Sequence, residues 1–168
     1  RGLSRRRCRM IRSSTALALL AITPLAAAAT DPYEVATTFY AAMQGPPPST
    51  SAIAPLLGPS LRAAVDAQHA YEQACIALAA RDVKPHMLDQ SPYLLAPDWP
   101  ETVHVVRSGA RGDAAWISVE MMAGGYRWTD RVLLQKQAQD WKIMDIRWGQ
   151  GGSLIGRLKQ FSAVRCVP

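Results

Sequence analysis

The feature that most constrains this fold is a period-two alternation of apolar and polar side chains that runs from residue 102 to residue 148. Alternation of this kind is typical of strands that bury one face and expose the other. Short stretches containing glycine or polar residues separate the alternating segments, and such short connections join neighbouring strands in antiparallel order. The sequence therefore predicts a four-stranded antiparallel meander, with strands near residues 102–107, 115–122, 127–134 and 141–148.

Helical periodicity precedes the predicted strands and returns after them. Val35, Phe39 and Met43 are spaced four residues apart and define one apolar helical face. A second helix is predicted from about residue 59 to residue 81, and Ser153 is positioned to cap a short final helix. Helices followed by a run of strands indicate an α+β domain, with N-terminal helices packed on the antiparallel meander and a short helix at the C-terminus.

Residues 1–29 have the basic, apolar and small-residue order of a secretory signal peptide. Six arginines precede an apolar stretch that is shorter than the roughly 20 residues a transmembrane helix needs. We therefore expect cleavage after about Ala29, a single domain at residues 30–168, and a periplasmic or secreted protein without an integral membrane segment. The sequence leaves open the true first residue, Arg1 or Met10, and the choice between the general secretory and twin-arginine routes.

The net charge of the chain comes from this leader. The whole sequence has 19 lysines and arginines against 13 aspartates and glutamates, which gives a formal net charge of +6. Removing the six arginines of the leader leaves 13 basic residues against 13 acidic ones, so the body is neutral. Proteins that bind nucleic-acid backbones need a surplus of clustered cations, so we expect no nucleic-acid partner.

Two cysteines, Cys75 and Cys166, remain after the leader is removed. Two cysteines far apart in an exported domain favour a disulfide bond, which would tie the C-terminal tail to the second helix. In the chain-entropy description, closing a loop of this length is worth roughly 4–5 kcal/mol. The alternative is that Cys75 is a small buried residue and Cys166 is a free thiol in the tail.

Short motifs in the second half of the chain carry a resemblance to known domains. The motifs are Pro92-Tyr93, Asp98-Trp99, the W-x-I-x-D-I pattern at 141–146, and Gly152-Ser153-Leu154. Through them, residues 31–161 resemble a bacterial exported domain family of unknown function, which is similar to the nuclear-transport-factor-2-like superfamily. The resemblance implies a curved sheet wrapped around helices, which gives a cone-like domain with a cavity.

Aromatic residues are the best candidates for a binding surface, because tryptophans on a sheet line cavities or anchor protein interfaces. The body contains five tryptophans, four of them in predicted strands. The alternative is that they fill the core between the sheet and the helices. The candidate ligand-binding residues, taken from the strands and from the proline-rich segment before them, are Tyr93, Asp98, Trp99, His104, Trp116, Arg131 and Trp148.

Acid–base and metal chemistry has weaker support in the sequence. His69, His86 and His104 are not spaced three or four residues from one another or from a cysteine, so neither a metal site nor a cofactor is predicted. Asp130 and Asp145 lie in apolar-rich strands and are the best candidates for a desolvated carboxyl group. The alternative is that each faces water or pairs with an arginine on the neighbouring strand.

These features favour an exported, non-enzymatic binding domain whose partner is an envelope protein or a small apolar ligand. An immunity- or inhibitor-like protein that blocks a periplasmic partner is the specific version of this hypothesis. The resemblance also leaves open a homodimer formed through the sheet. Superfamily members include isomerases and dehydratases as well as binding modules. The alternative is therefore an enzyme that uses the cone cavity, with His104 or a buried acid as its base.

Overall fold

The computed structural model describes residues 31–44, 50–89, 91–95 and 99–166. The predicted leader and the candidate residue Asp98 lie outside the described residues. The helices are α1 (Pro32–Met43), α2 (Thr50–Ile53), α3 (Pro59–Leu78) and α4 (Leu154–Ser162), with a 3₁₀ turn at Ala54–Leu56. The strands are β1 (Thr102–Arg111), β2 (Ala114–Ala123), β3 (Tyr126–Gln137) and β4 (Asp140–Trp148).

The strands form one four-stranded antiparallel sheet in the order β1-β2-β3-β4, and each strand pairs with the next along the chain. The predicted α+β class and the four-stranded antiparallel meander are therefore confirmed. Glycines with positive φ form the first two turns, at Gly112 (58°) and at Gly124 and Gly125 (55° and 79°). Glycine suits these positions because residues with a Cβ atom rarely adopt a positive φ.

Strand β1 continues beyond its predicted end at Arg107 and reaches Arg111. A register shift between Arg107 and Gly109 interrupts the alternation, so the sequence pattern hides the rest of the strand. Gly109 lies opposite Trp116, and a Cβ atom at this position would overlap the indole ring. The close approach of the ring therefore requires this glycine, which the sequence pattern had assigned to a turn.

Local sequence accounts for where α1 begins but not for where α3 ends. The side chain of Asp31 caps α1 by accepting a hydrogen bond from the backbone N–H of Tyr33 (2.8 Å). Helix α3 ends at Leu78, before its predicted end, although the alanines that follow are good helix formers. The chain instead folds back along α3, where the backbone N–H of Leu88 donates to the Glu72 carboxylate (2.7 Å).

The core lies against one face of the sheet, which we define as the inner face; the opposite face is the outer face. Along β2 the buried residues Ile117, Val119 and Met121 alternate with side chains of the outer face. Helix α1 contacts β1, β2 and β4, while α3 and α4 contact β4. Full burial of one large apolar side chain stabilises a fold by roughly 1.5–3 kcal/mol. Such side chains include Phe39, Met43, Ile53, Leu61, Ile117, Ile143, Ile146, Leu154 and Leu158.

The two cysteines in the described ranges bear on the compartment of the protein. Cys75 and Cys166 lie at disulfide-bonding distance, with their Cα atoms 5.2 Å apart, as the sequence predicts. The pair joins α3 to the segment that follows α4, and such a pair favours an oxidising compartment. None of the helices in the described ranges combines the length and the apolar composition that crossing a bilayer requires.

Candidate functional site

Three of the predicted ligand-binding residues share the outer face of the sheet. His104 lies on β1, Trp116 on β2 and Arg131 on β3, and all three side chains are exposed. The strand register places His104 opposite Glu120, and Arg131 opposite Ser118. These positions alternate with the buried residues of β2, so the three candidates lie on the side of the sheet away from the core.

The other predicted residues that the structure describes belong to the interior. Tyr93 and Trp148 are buried, and Trp99 is half-buried against the core. The Tyr93 ring packs edge-on against Phe39, with ring centroids 5.4 Å apart. Burial raises the pKa of Tyr93 to about 12, and the nearby charge of Asp66 contributes a smaller rise. The predicted residues therefore divide between two faces and do not form one site.

The inner face carries a buried polar cluster, formed by Asp130, Tyr40, Trp128 and Trp148. Asp130 is 1% exposed and lies between Val119 on β2 and Trp148 on β4. Both carboxylate oxygens of Asp130, the Tyr40 hydroxyl and the two indole N–H groups are buried without a hydrogen-bond partner in the described part of the chain. Most buried polar groups in folded proteins have a partner, so this concentration is unusual.

Burial controls the protonation of this cluster. It raises the pKa of Asp130 to about 7, because the charged form is poorly solvated in the core. The backbone N–H of Gly149 approaches the carboxylate without completing a hydrogen bond and lowers this pKa by a smaller amount. Burial also raises the pKa of the Tyr40 hydroxyl, and the charge on Asp130 raises it further. Near neutral pH, Asp130 is therefore present in both protonation states.

Asp145, the other predicted carboxylate candidate, has a structural role. Its Oδ1 atom accepts hydrogen bonds from the backbone N–H groups of Ile146 (2.9 Å) and Ile155 (3.0 Å). Ile155 lies in the first turn of α4, where the N-cap residue Ser153 accepts a hydrogen bond from Gly156 (3.3 Å). Asp145 therefore holds the start of α4 against β4.

Two clefts lie side by side along β3 and meet at Thr129. Most of their lining residues belong to the outer face, and Met121, Trp128, Asp130, Trp148 and Gly149 complete the linings. One has a volume of about 260 Å³ and extends toward β1, and the other has a volume of about 380 Å³ and extends toward β4. We define the surface that they form together as the outer groove, which follows β3. Its outer-face side chains are Thr102, His104, Ser118, Glu120, Met122, Arg127, Thr129, Arg131 and Arg147.

Positive charge dominates the outer groove. Arg127, Arg131 and Arg147 line it, and Glu120 is the acidic side chain among its exposed residues. Arg131 lies directly opposite Arg147 across β3 and β4, and like charges in this position destabilise a sheet. Among the described residues, none of these arginines forms an ion pair. Within the described ranges, no carboxylate therefore competes with an external anion for these guanidinium groups.

Exposed apolar side chains lie beside these arginines. Trp116 is 40% exposed and Val106 is 42% exposed. Val106 pairs with Ser118 in the same row as Arg131, and Trp116 pairs with Leu133 in the next row. Tryptophan and arginine are both enriched in protein interfaces, so this mixture has the composition of a protein-binding surface.

The histidines occupy separate environments. His104 lies opposite Glu120 on the outer face. His86 stacks on Phe161, with ring centroids 4.1 Å apart, and its Nδ1 atom shares a hydrogen bond with the Tyr71 hydroxyl (2.6 Å). In the ranges that the structure describes, no three His, Cys, Asp or Glu side chains are grouped so that they could hold a metal ion.

Sequence patterns identify Asp130 and Arg131 as candidates. They do not identify Tyr40, which lies near Asp130, or Arg147, which lies opposite Arg131. Tyr40 reaches the buried cluster from α1, where its helical spacing marks it only as a core residue. Arg147 meets Arg131 through the pairing of β3 with β4, which includes a register shift that period-two alternation does not reveal. The three arginines in the last two strands are the sequence feature that could have indicated a positively charged surface.

Comparison of this chain with protein-family models, curated proteins and solved structures found no significant match. The resemblance to an exported domain family and to the nuclear-transport-factor-2-like superfamily therefore stays a prediction. Because one fold supports many functions, the function has to be argued from the geometry of the site.

Proposed function

We propose that this chain is an exported, non-catalytic binding domain that recognises a protein of the cell envelope through its outer groove. The observation that carries the proposal is the exposed pair Trp116 and Val106 beside arginines that have no ion pair in the described ranges. Buried tryptophan and arginine contacts dominate the binding free energy of many protein complexes. An immunity- or inhibitor-like protein, which blocks one exported partner, is the specific form of the proposal.

The positions of the two expected bases, Asp130 and His104, argue against joint acid–base catalysis. A general base must come within hydrogen-bond reach of the proton it removes. Asp130 is 1% exposed and lies opposite Trp148 in the sheet, so a substrate would have little access to its carboxyl group. His104, the other expected base, lies on the outer face, so the sheet separates it from Asp130. In this arrangement the two groups do not act on one substrate.

The cone-like shape belongs to the same proposal. The motif resemblance implies a curved sheet wrapped around the N-terminal helices. Contacts of α1 with β1, β2 and β4 support a helix that crosses the inner face. A flat sheet, or packing of α1 on the outer face, would contradict this part of the proposal.

Export is tested by expressing the full chain with its own leader in a bacterial host and isolating the periplasmic fraction. We expect cleavage after about Ala29, seen by mass spectrometry of the intact protein. We also expect Cys75 and Cys166 to resist alkylation until a reductant is added, because the pair lies at disulfide-bonding distance. An uncleaved chain in the cytoplasm, in which Cys75 and Cys166 both react with the alkylating agent, would contradict export.

The binding function is tested by capture from an envelope extract, followed by titration of the purified partner. We expect one partner at a 1:1 ratio with the wild-type chain. The double variant Trp116→Ala, Arg131→Gln should lose this partner. Arg81→Gln, which removes an exposed charge just beyond α3, should retain it. Equal capture by the double variant and by wild type would place the interaction elsewhere and contradict the proposal.

The buried polar cluster favours a second candidate function, the binding or isomerisation of a small apolar ligand. The specific observation is that the Asp130 carboxylate and the Tyr40 hydroxyl are both buried without partners in the described residues. A ligand with a carbonyl group could accept a hydrogen bond from Tyr40 and from a protonated Asp130. Saturable quenching of tryptophan fluorescence by a naphthyl ketone, lost in Asp130→Asn, would favour this candidate over the outer groove.

A further inference from the structure

The arginines of the outer groove are arranged at two separate levels along β3. Side chains on one face of a strand repeat about every 6.6–6.8 Å. Arg127 and Arg131 are two such repeats apart, which separates their Cα atoms by about 13 Å. Arg147 lies opposite Arg131 on β4, so the second level carries two guanidinium groups and the first level carries one.

The level between them has a different character. There Thr129 on β3 lies opposite Glu120 on β2, which in turn lies opposite His104 on β1. The Glu120 carboxylate would repel an acidic group at this level. A ligand that spans the groove therefore needs negative charge at its two ends and a neutral group in the middle.

The level beyond Arg131 is apolar on β2 and β3, and Asp145 lies opposite Leu133 on β4. Leu133 on β3 lies opposite Trp116 on β2, and the exposed part of the indole ring offers a surface for an apolar side chain. On β2 and β3, four successive levels thus carry an arginine, a glutamate, an arginine and apolar side chains. One small anion such as phosphate would occupy a single level and leave the other three unused.

An extended peptide has the same repeat as the groove, because its side chains on one face also recur about every 6.6–6.8 Å. We propose that the outer groove binds an extended acidic segment of the partner protein, lying along β3 with two carboxylates four residues apart. The first carboxylate contacts Arg127 and the second lies between Arg131 and Arg147. An apolar side chain two residues further packs on Trp116. This inference rests on the proposed function and specifies the chemistry of the partner.

The second carboxylate provides most of the recognition. Two guanidinium groups can form charge-assisted hydrogen bonds to one carboxylate, and such bonds are stronger than those between neutral groups. The carboxylate also removes the repulsion between Arg131 and Arg147 that the free protein contains. Because the groove is open to solvent, added salt should weaken binding.

The test uses the full chain, exported and purified, and synthetic peptides of seven residues titrated at low salt. The matching peptide has glutamate at positions 1 and 5, leucine at position 7, and serine or threonine elsewhere. One control peptide has glutamine in place of both glutamates. The other has the same net charge but places its glutamates at positions 1 and 2.

We expect saturable binding of the matching peptide, with amide NMR shifts at Ser118, Thr129 and Gly149. Both control peptides should bind about tenfold more weakly, and so should the double variant Arg131→Gln, Arg147→Gln. The control variant Arg81→Gln should bind the matching peptide as wild type does. Far-ultraviolet circular dichroism of each variant establishes that a loss of binding is not a loss of fold.

Three results would overturn the inference. Equal binding of the two acidic peptides would show that the groove responds to net charge and not to spacing. Complete displacement of the matching peptide by equimolar inorganic phosphate would identify a site for a single small anion. If the matching peptide does not bind, an extended acidic segment is not the ligand of the outer groove. The envelope-capture experiment would still report separately on the proposed function, so the two failures are distinguishable.

Discussion

Asp130 and Arg131 are consecutive residues of β3 that lie on opposite faces of the sheet. They show that the free-energy cost of a charge without a partner differs between the two faces. Asp130 points into the core, where burial raises its pKa to about 7. Arg131 points outward and is exposed. Desolvation of an unpaired charge costs several kcal/mol in a protein interior, whereas the same lack of a partner costs little in water.

The comparison separates the part of the molecule that limits stability from the part that can supply binding free energy. The inner face contains the apolar core together with polar groups that weaken it. The outer face contributes little to folding, so its side chains are available for a partner. If this division holds, substitutions on the inner face should change the free energy of unfolding, and those on the outer face should change binding.

The largest expected difference is between the adjacent residues Ile117 and Trp116 of β2. Ile117→Ala should lower the free energy of unfolding by about 2–5 kcal/mol, because it leaves a cavity in the core. Trp116→Ala, although it removes a larger side chain, should lower it by about 1 kcal/mol or less. Denaturation with guanidinium chloride measures both. Equal losses would show that the outer face is buried in solution, as in the homodimer that the resemblance leaves open.

A smaller effect is expected from the pH dependence that Asp130 introduces. The folded protein keeps a proton on this residue up to about pH 7, whereas an unfolded aspartate releases it near pH 3.9. The resulting stabilisation is fully present below about pH 4 and is lost as the pH rises through 7. Asp130→Asn should remove this loss and be more stable than wild type at pH 8, by on the order of 2 kcal/mol.

Urea denaturation from pH 4 to pH 8 measures this effect. Glu120→Gln is the matched control, because Glu120 is an exposed acid two residues from the level of Arg131 and should leave the pH profile unchanged. A wild-type protein whose stability does not fall toward pH 8 would show that the Asp130 carboxylate has a partner that keeps it ionised.

Tyr40→Phe tests whether the buried hydroxyl has a partner in solution. Removing a buried hydroxyl that lacks a hydrogen bond should stabilise the protein by up to about 1 kcal/mol. Thermal unfolding measures this change. Tyr126→Phe, at an exposed tyrosine of the same sheet, should change stability by less than about 0.5 kcal/mol. If Tyr40→Phe is destabilised by 1 kcal/mol or more, the hydroxyl is hydrogen-bonded within the cluster.

The smallest expected effect is on the outer face. Arg131→Gln should stabilise the protein by a few tenths of a kcal/mol at low ionic strength, because it removes a like charge opposite Arg147. In 1 M salt, where the Debye length is about 3 Å, the difference should disappear. Chemical denaturation at the two salt concentrations measures it. A large loss of stability would mean that Arg131 has an attractive partner in the folded protein.

Local patterns predict the fold better than they predict the candidate site. Alternation locates all four predicted strands, and it misses the end of β1, where the shift at Gly109 breaks the period. The acidic residue before α1 and the serine before α4 cap their helices as their types favour. His104 lines a cleft of the outer face. Alternation alone does not say that this face is the one turned away from the helices.

By itself, the sequence predicted the order and type of the elements, the pairing of Cys75 with Cys166, and the opposite orientations of Asp130 and Arg131. These properties depend on neighbouring residues, on turn chemistry and on the period of two. Only the tertiary structure decided that Tyr40 lies near Asp130 and that Arg147 lies opposite Arg131. Those contacts depend on strand register and on how α1 packs across the sheet. Both the strand register and the packing of α1 are fixed by burial of the core as a whole, so no local sequence pattern predicts them.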